Sequence, residues 1–453
     1  IMQPVTYIRS TAASLLSSAG FLGFLQARGR LQRRLSGTPP TVHYFHQVDD
    51  PYSHLAVQKL DQLRATYTPA FRVHLVCAPN NEYKGSSEHF DQWALRDALS
   101  IAEAYGTTLD VRVTPAAEAV VQANNLLAGQ LGERDFAAKA VKVGAALWAG
   151  RSLETLLNNA AAAGSQGAAA VAAGNALRAN LGHYQGGMFY FEGEWFWGID
   201  RIRALEQRLF KEGYAATAAA PYHMCVPEPV AVDTTGFDAS SVVLEYFPSL
   251  RSPYTAIGHQ RVLELIARSG VTVRLRPVMP MLMRGIPAPQ KKQRYIITDS
   301  GREARARGIP FGNIVDPFGE PVKRAFALFP AAVELDRGMA FVTAYLQAAW
   351  AQGVDIADAG NQGLRLVAAN AGLDWEQLNA AAANTDWQAV LDDNLSAMLG
   401  AGLWGVPSFR VSGGNDAAEF ACWGQDRIWR VENEIARRVI AKAKDIGDGH
   451  HSV

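Results

Sequence analysis

An internal repeat is the feature that most constrains how this chain can fold. The stretch TVHYFHQVDDPYSHLAVQKLDQLRATYTPAFRVHLV (41–76) parallels VVLEYFPSLRSPYTAIGHQRVLELIARSGVTVRLRPV (242–278). Further along, GEWFWGIDRIRALEQRL (193–209) parallels EFACWGQDRIWRVENEI (419–435). Two matches in the same order indicate one structural unit that occurs twice. The 453 residues are enough for two domains of about 200 residues each.

Each copy has the pattern of an α/β domain: a strand, a helix that begins at a Pro-Tyr step, a second strand, a long helical stretch, a hairpin and a final helix. In the second copy, residues 271–278 alternate apolar and polar side chains, as a strand does. Residues 322–400 are rich in Ala and Leu, which predicts helices. PSFRV (407–411) and EFACW (419–423) enclose a turn and predict a hairpin. We therefore expect two α/β domains, each with a parallel strand pair and an inserted helical subdomain.

The repeat also divides the chain. Residues between the copies are rich in Ala, Pro and small polar side chains, which is typical of a linker. The predicted parts are a helical arm (1–40), a first domain (41–212), a linker (213–240), a second domain (241–445) and a tail (446–453).

Composition excludes several classes of protein. The 43 basic and 43 acidic side chains give a net charge of zero, which argues against nucleic acid as the main partner because phosphate contacts need a basic surplus. A hydrophobic content of 49% excludes disorder of the whole chain. Cys77, Cys225 and Cys422 contain no C-x-x-C pair, which excludes a disulfide scaffold and a dithiol redox centre. So sparse a set suits a reducing compartment, and we expect a cytoplasmic protein.

The arm contains an apolar run, residues 15–25, followed by Arg28, Arg30, Arg33 and Arg34. A signal peptide has its basic residues before the apolar run, so the order here is reversed. The run is also shorter than the ~20 apolar residues that cross a bilayer, so we expect no integral membrane segment. We interpret the arm as an amphipathic helix docked on the protein, with attachment to a membrane surface as the alternative.

Three short segments of the second copy can carry chemistry. Pro253 at a first helical position makes Ser252 an N-cap, and the same helix terminus can stabilise an anion such as a thiolate. Pro407 opens a strand, either as a simple entry residue or as a cis proline that exposes the backbone of Val406 to a peptide-like ligand. Gln425 and Asp426 begin a helix, where Asp426 can cap the helix or bind the ammonium group of a ligand.

Other constellations are less convincing. Ser252 and His259 lie seven residues apart on one helix, a rise of about 10 Å, which is too far for a nucleophile and its base. His43, His46, His54 and His74 cluster in sequence, but no spacing among them with a nearby Cys or Glu resembles a metal site, so we expect no metal.

Taken together, SPY (252–254), GVPSF (405–409), WGQDR (423–427) and KKQRYIITDSGREARARGIPFG (291–312) resemble the DsbA-like branch of the thioredoxin fold. More narrowly they resemble 2-hydroxychromene-2-carboxylate isomerases and kappa-class glutathione transferases. The resemblance covers nearly all of the second copy and, more faintly, the first. It implies two tandem thioredoxin-like domains and glutathione as the cofactor.

The resemblance also implies roles for individual residues. Ser252 is the catalytic residue that hydrogen-bonds the glutathione thiolate, and Val406, before a cis Pro407, pairs with the cysteinyl backbone. Gln425 and Asp426 hold the γ-glutamyl end. Lys292, or its neighbour Lys291, reaches the glycyl carboxylate. The implied function is a glutathione-dependent isomerase or transferase that acts on an electrophilic, aromatic or enone-like small molecule.

The first copy departs from this pattern. Asp50 stands where the second copy has Ser252, and a carboxylate there repels a thiolate. HYQGGMFYF (183–191) contains no proline, although WGIDR (197–201) remains. We interpret the first copy as structural or as having a different ligand. The main rival function is a non-catalytic binding or scaffold protein, and the two copies could form an intramolecular pseudo-dimer or the chain a homo-oligomer.

Overall fold

The computed structural model describes residues 2–85, 87–154, 156, 166–217, 224–316 and 319–447. The chain forms two compact units. The first unit comprises Leu22–Pro229 with Pro289–Lys292, and the second comprises Ile1–Phe21, Val230–Ala288 and Gln293–Val453.

The arm forms two helices rather than the single helix predicted: α1 (Pro4–Ser17), in the second unit, and α2 (Ala19–Leu35), most of which lies in the first. Helix α2 is docked by an ion pair between Arg30 and Glu212, whose nitrogen and oxygen are 3.0 Å apart. Helix α1 accepts a hydrogen bond from the backbone N–H of Ile314 at the hydroxyl of Ser14 (2.9 Å). In the part of the chain that the structure describes, no helix is long and apolar enough to cross a membrane.

The first unit is built on a four-stranded sheet with strand order β2-β1-β3-β4. Strands β1 and β2 are parallel, and the other two pairings are antiparallel. The strands are β1 (Thr41–His46), β2 (Ala70–Leu75), β3 (Met188–Phe191) and β4 (Glu194–Trp197). The helices that follow α2 in this unit are α3 (Pro51–Val57), α4 (Leu60–Thr66), α5 (Asn81–Lys84), α6 (Ser87–Ile101), α7 (Ala117–Ala128), α8 (Phe136–Trp148), α9 (Gln166–Asn180) and α10 (Gly198–Lys211).

The second unit has a sheet of the same design, with strand order β6-β5-β7-β8 and one parallel pair, β5 with β6. Its strands are β5 (Val242–Phe247), β6 (Thr272–Leu275), β7 (Ser408–Gly413) and β8 (Phe420–Trp423). Its helices after α1 are α11 (Pro253–Ser269), α12 (Gln290–Ala306), α13 (Glu320–Glu334), α14 (Gly338–Gln347), α15 (Gln362–Asn370), α16 (Trp375–Ala383), α17 (Trp387–Gly400) and α18 (Ile428–Gly447). The α/β class and the parallel strand pairs are those that the sequence predicts.

The inserted helices have a core of their own. Helices α13 to α17 occupy the stretch whose Ala and Leu content predicted helices. Phe326, Phe329, Phe341 and Tyr345 are buried among them in one apolar cluster, with Trp350 at its edge. Leu250, from the loop after β5, belongs to the same cluster, and Leu275 of β6 packs against it, so this core also contacts the sheet.

In each unit, a matching hydrogen bond joins the helix that follows the first strand to a later helix. The hydroxyl of Tyr52 on α3 donates to Asp97 on α6 (2.7 Å). The hydroxyl of Tyr254 on α11 donates to Asp299 on α12 (2.8 Å), and the two residues are 45 positions apart in both cases. The two units therefore share a specific contact at an identical spacing, as well as a strand order.

The described residues of the predicted linker are held by specific contacts. The backbone N–H of Cys225 donates to buried Glu206 in the first unit (2.7 Å). The hydroxyl of Thr234 donates to buried Glu432 in the second unit (2.8 Å). The domain boundaries themselves stay a prediction.

Candidate functional site

Strand register brings the three segments of interest in the second unit to one end of the sheet. Phe247, the last residue of β5, pairs with Ser408, the first residue of β7, and Ser408 pairs in turn with Trp423 at the end of β8. Pro407 therefore lies beside the residue that follows β5. The backbone N–H of Gly424 donates to the carbonyl of Pro407 (2.9 Å). The loop 248–252, the turn at 406–407 and the turn at 424–426 thus meet at the carboxyl end of β5.

Ser252 is the N-cap of the 17-residue helix α11, as predicted from the Ser-Pro step. Its hydroxyl oxygen accepts a hydrogen bond from the backbone N–H of Thr255 (3.1 Å), and the side chain is buried. A hydroxyl that accepts at its oxygen can still donate its hydrogen. Among the described residues, no protein acceptor lies within reach of that hydrogen. Ser252 therefore caps the helix, and its hydroxyl hydrogen remains available for a further hydrogen bond.

The peptide bond between Val406 and Pro407 is cis, as the sequence interpretation requires. Val406 is partly exposed. No hydrogen bond joins its backbone N–H or carbonyl to another group in the described parts of the chain. These two groups can pair with the backbone of a ligand, because unpaired backbone groups near a buried surface need a partner.

Gln425 and Asp426 have different roles in the turn after β8. Gln425 is buried, its side-chain oxygen accepts from the guanidinium of Arg261 on α11, and its amide donates to Asp426 (2.6 Å). A side-chain β-carbon at Gly258 on α11 would lie 3.0 Å from the β-carbon of Gln425, so the helix and the turn pack closely. The side chain of Gln425 is thus fixed by the protein. Asp426 is partly exposed, so it is the member of the pair that can meet a ligand.

Lys292 lies near the start of α12. It belongs to the first unit, where its ammonium donates to the carbonyl of Tyr83 on α5 (2.8 Å). Burial lowers the pKa of Lys292 to about 8. The predicted role of Lys292 at a glycyl carboxylate stays a prediction.

One residue at this end of the second sheet was missed by the sequence analysis. The guanidinium of Arg284 donates to the carbonyl of Trp404, three residues before Pro407 (2.9 Å). The bond links residues 120 positions apart. The one signal in the sequence is a single basic residue within MLMRGIPAP (281–289).

His259 is excluded as a catalytic base by its own contacts. One ring nitrogen lies 3.1 Å from the hydroxyl of Tyr246, and the other lies 2.8 Å from the hydroxyl of Thr343. Burial lowers the pKa of His259 to about 4. The imidazole is therefore a neutral bridge inside the unit, in agreement with its distance from Ser252 along α11.

The corresponding end of the first sheet is filled by the protein's own side chains. Asp50 caps α3 and accepts from the backbone N–H (2.8 Å) and the hydroxyl (2.7 Å) of Ser53. Gly187, with a φ of +65°, stands where the second unit has Pro407, and a β-carbon there would lie 3.0 Å from the Asp50 carboxylate. A β-carbon at Gly186 would lie 2.5 Å from the side-chain oxygen of Gln47. Two consecutive glycines are needed because these side chains occupy the space.

All three cysteines are free thiols: Cys77 is exposed, Cys225 is partly buried and Cys422 is buried. Within the described ranges, no group of three His, Cys, Asp or Glu side chains has the geometry to hold a metal ion.

The geometry at the end of the second sheet agrees with a comparison of the sequence with protein families. Residues 243–436 match the model of the DSBA-like thioredoxin domain. This part of the chain is a DsbA-like thioredoxin domain. The match begins in β5 and ends in α18, so it includes Ser252, Val406, Pro407, Gln425 and Asp426.

Solved structures with a similar fold include two kinds of protein. A 2-hydroxychromene-2-carboxylate isomerase is 20% identical over 45% of this chain and 98% of its own, with a TM-score of 0.36. The cytosolic disulfide reductase DsbM from Pseudomonas aeruginosa is 23% identical over 43% of this chain and 98% of its own, with a TM-score of 0.34. DsbM has also been solved with GSH (22% identity, 43% and 99% coverage, TM-score 0.31). No curated protein matches the chain.

Proposed function

We propose that the chain is a tandem of two DsbA-like domains and that the second is a glutathione-dependent isomerase or transferase. Its substrate would be an electrophilic small molecule, aromatic or enone-like. The observation that carries the proposal is the position of the Ser252 hydroxyl and the unpaired backbone of Val406 at the same end of the sheet. A hydrogen-bond donor near unpaired backbone groups can bind a short peptide that carries an anionic group.

The residues present fit glutathione. Ser252 would donate its hydroxyl hydrogen to the sulfur, and the N-terminus of α11 would add its partial positive charge. The N–H and carbonyl of Val406 would pair with the cysteinyl residue in the manner of an added strand. Asp426, positioned by Gln425, would take the γ-glutamyl ammonium group.

Catalysis would follow from the thiol's pKa. When bound, glutathione supplies the thiolate that adds to the electrophile. The part of Ser252 is to hydrogen-bond the charged form of the sulfur, which lowers the thiol pKa and raises the fraction of thiolate at neutral pH. The sequence has no cysteine at the N-terminus of α11, so the protein itself has no dithiol at this position.

The proposal is tested by Ser252→Ala and Ser252→Gly. Both variants lack the hydroxyl, and one charge-assisted hydrogen bond is worth about 1.5–3 kcal/mol, so each should raise the pKa of bound glutathione by roughly one to two units. The readout is the ultraviolet absorbance of the thiolate in a pH titration. Glycine is a tolerable N-cap and alanine is not, so only Ser252→Ala should also lower the melting temperature. An unchanged thiolate signal in both variants would contradict the assignment.

A second candidate is a binding or scaffold protein without catalytic activity. The observation that favours it is the closed end of the first sheet, where Asp50 and Gln47 fill the space beside the two glycines. Calorimetric titration with glutathione separates the candidates. If the folded protein gives no heat of binding with glutathione, the glutathione-dependent enzyme is excluded and the scaffold function remains.

A further inference from the structure

Arg284 is a cation without a counter-charge. It ends a short 3-10 turn, Met281–Arg284, that follows β6. Its guanidinium donates to the carbonyl of Trp404, and its Nε is shielded from solvent with no hydrogen-bond partner. Among the described residues, no carboxylate lies within 4.0 Å of its nitrogens.

Arg284 is partly exposed, and its guanidinium has donors left for a ligand. A guanidinium has five N–H donors, and the described residues give Arg284 one acceptor. Burial lowers the pKa of Arg284 to about 10, without any compensating carboxylate. A shielded charge of this kind is normally neutralised by an ion pair. Arg268 of the second unit, for example, pairs with Glu432 (2.9 Å).

The position of Arg284 links this charge to the candidate site. The backbone N–H of Val278, between β6 and the 3-10 turn, donates to the carbonyl of Pro248 in the loop that leads to Ser252 (2.9 Å). Trp404, which accepts from Arg284, is two residues before Val406. The ring of Trp404 contacts the ring of Trp423 edge-on, with centroids 5.2 Å apart. The guanidinium is therefore anchored to the same turn that presents the Val406 backbone.

We propose that Arg284 is the carboxylate-binding residue of this site. The planar guanidinium matches a carboxylate in geometry as well as charge. Two ligands of the proposed reaction can supply that group: the glycyl end of glutathione, or an acidic substituent on the substrate. The inference rests on the proposed function in taking this end of the sheet as the ligand site, and for the glycyl carboxylate it adds Arg284 to the predicted Lys292.

The test compares acids with their esters on three proteins: wild type, Arg284→Gln, and the control Arg268→Gln. Arg268 lies in the last turn of α11, about 24 Å along the helix from Ser252, so its loss reports only on general stability. Calorimetric titrations use glutathione and its glycyl ethyl ester, and cinnamate and its methyl ester. Circular dichroism shows whether each variant is folded.

Arg284→Gln should weaken one of the two acids by on the order of 10- to 100-fold, the loss of a charge-assisted pair, and should leave the matching ester unchanged. A loss with glutathione assigns the glycyl carboxylate; a loss with cinnamate assigns the substrate. The inference is overturned if both acids bind Arg284→Gln within twofold of wild type, if the esters weaken equally, or if wild type binds neither acid. If cinnamate binding depends on Arg284 but glutathione does not bind, the inference stands and the proposed function fails. If glutathione binds all three proteins equally and cinnamate does too, the proposed function stands alone.

Discussion

Replacing Asp50 by asparagine should change how the first unit's stability depends on pH. The carboxylate of Asp50 is buried at the N-terminus of α3, where it accepts from the backbone and the hydroxyl of Ser53. Burial raises the pKa of Asp50 to about 6, and the nearby charge of Asp49 acts in the same direction. The hydrogen bonds from Ser53 act against this rise but do not cancel it.

The size of the effect follows from the two pKa values. The unfolded group titrates near 3.8 and the folded group near 6, so between these values the folded state of Asp50 binds more protons. The stability from the protonated carboxyl is complete below about pH 4 and is lost as the pH rises through 6. A difference of about two units corresponds to about 3 kcal/mol. Asparagine does not titrate. The free energy of unfolding of Asp50→Asn, relative to that of wild type, should therefore rise by about 3 kcal/mol from acidic to neutral pH.

The assay is urea unfolding of both proteins from about pH 4 to about pH 7.5, with the difference between them taken at each pH so that other titrating groups cancel. Hydrogen exchange of residues 51–57 assigns the transition to the first unit. Asp61→Asn, which removes an exposed charge on α4, controls for the change in net charge. A difference that does not vary with pH refutes the reasoning. So does a stability of Asp50→Asn relative to wild type that falls as the pH rises, because the N–H groups of α3 would then outweigh burial.

Two further predictions concern buried contacts of the second unit. Because the pKa of His259 is lowered to about 4, its contribution is complete above pH 6.5 and is lost as the pH falls towards 4. Urea titrations should show the stability of wild type falling by about 3 kcal/mol relative to that of His259→Leu over that range, because the other titrating groups are common to both proteins; parallel curves would contradict this. Tyr254→Phe removes one donor from buried Asp299 and should cost about 1–3 kcal/mol. Tyr52→Phe, its counterpart at Asp97, should cost a similar amount, measured by chemical unfolding, and a neutral result in both would show that the tyrosines do not support the carboxylates.

Local chemistry made much of the fold predictable. Alternation of side chains indicated the strands, and a Ser-Pro step is sufficient to place an N-cap at Ser252, because both effects act over a few residues. The repeat then brought the segments around Pro407 and Asp426 into one domain. The apolar run of the arm was predicted as one helix, but the structure has two, because Ser18 adopts an extended backbone conformation between α1 and α2.

The parts of the site that could not be predicted depend on contacts between distant residues. Arg261 meets Gln425 across 164 positions, and Arg284 meets Trp404 across 120. No periodicity or spacing reports such pairs. The hydrogen bond from Lys292, near the start of α12, to Tyr83 also joins distant residues, 209 positions apart. Asp50 was expected to repel a thiolate, and the structure shows in addition that its carboxylate has protein partners of its own.

The matched tyrosine bonds indicate where the two copies are free to differ. From Tyr52 to Asp97 and from Tyr254 to Asp299 the chain has the same length, 45 positions. Between the aspartate and the aromatic residue that pairs with the central strand, Phe189 in one sheet and Phe409 in the other, the second copy is longer by 18 residues (110 against 92). The difference in length thus falls beyond the tyrosine contact, in the stretch that carries the inserted helices. Under the proposed function, a change in length there can alter which substrate fits while the helix terminus at Ser252 keeps its place.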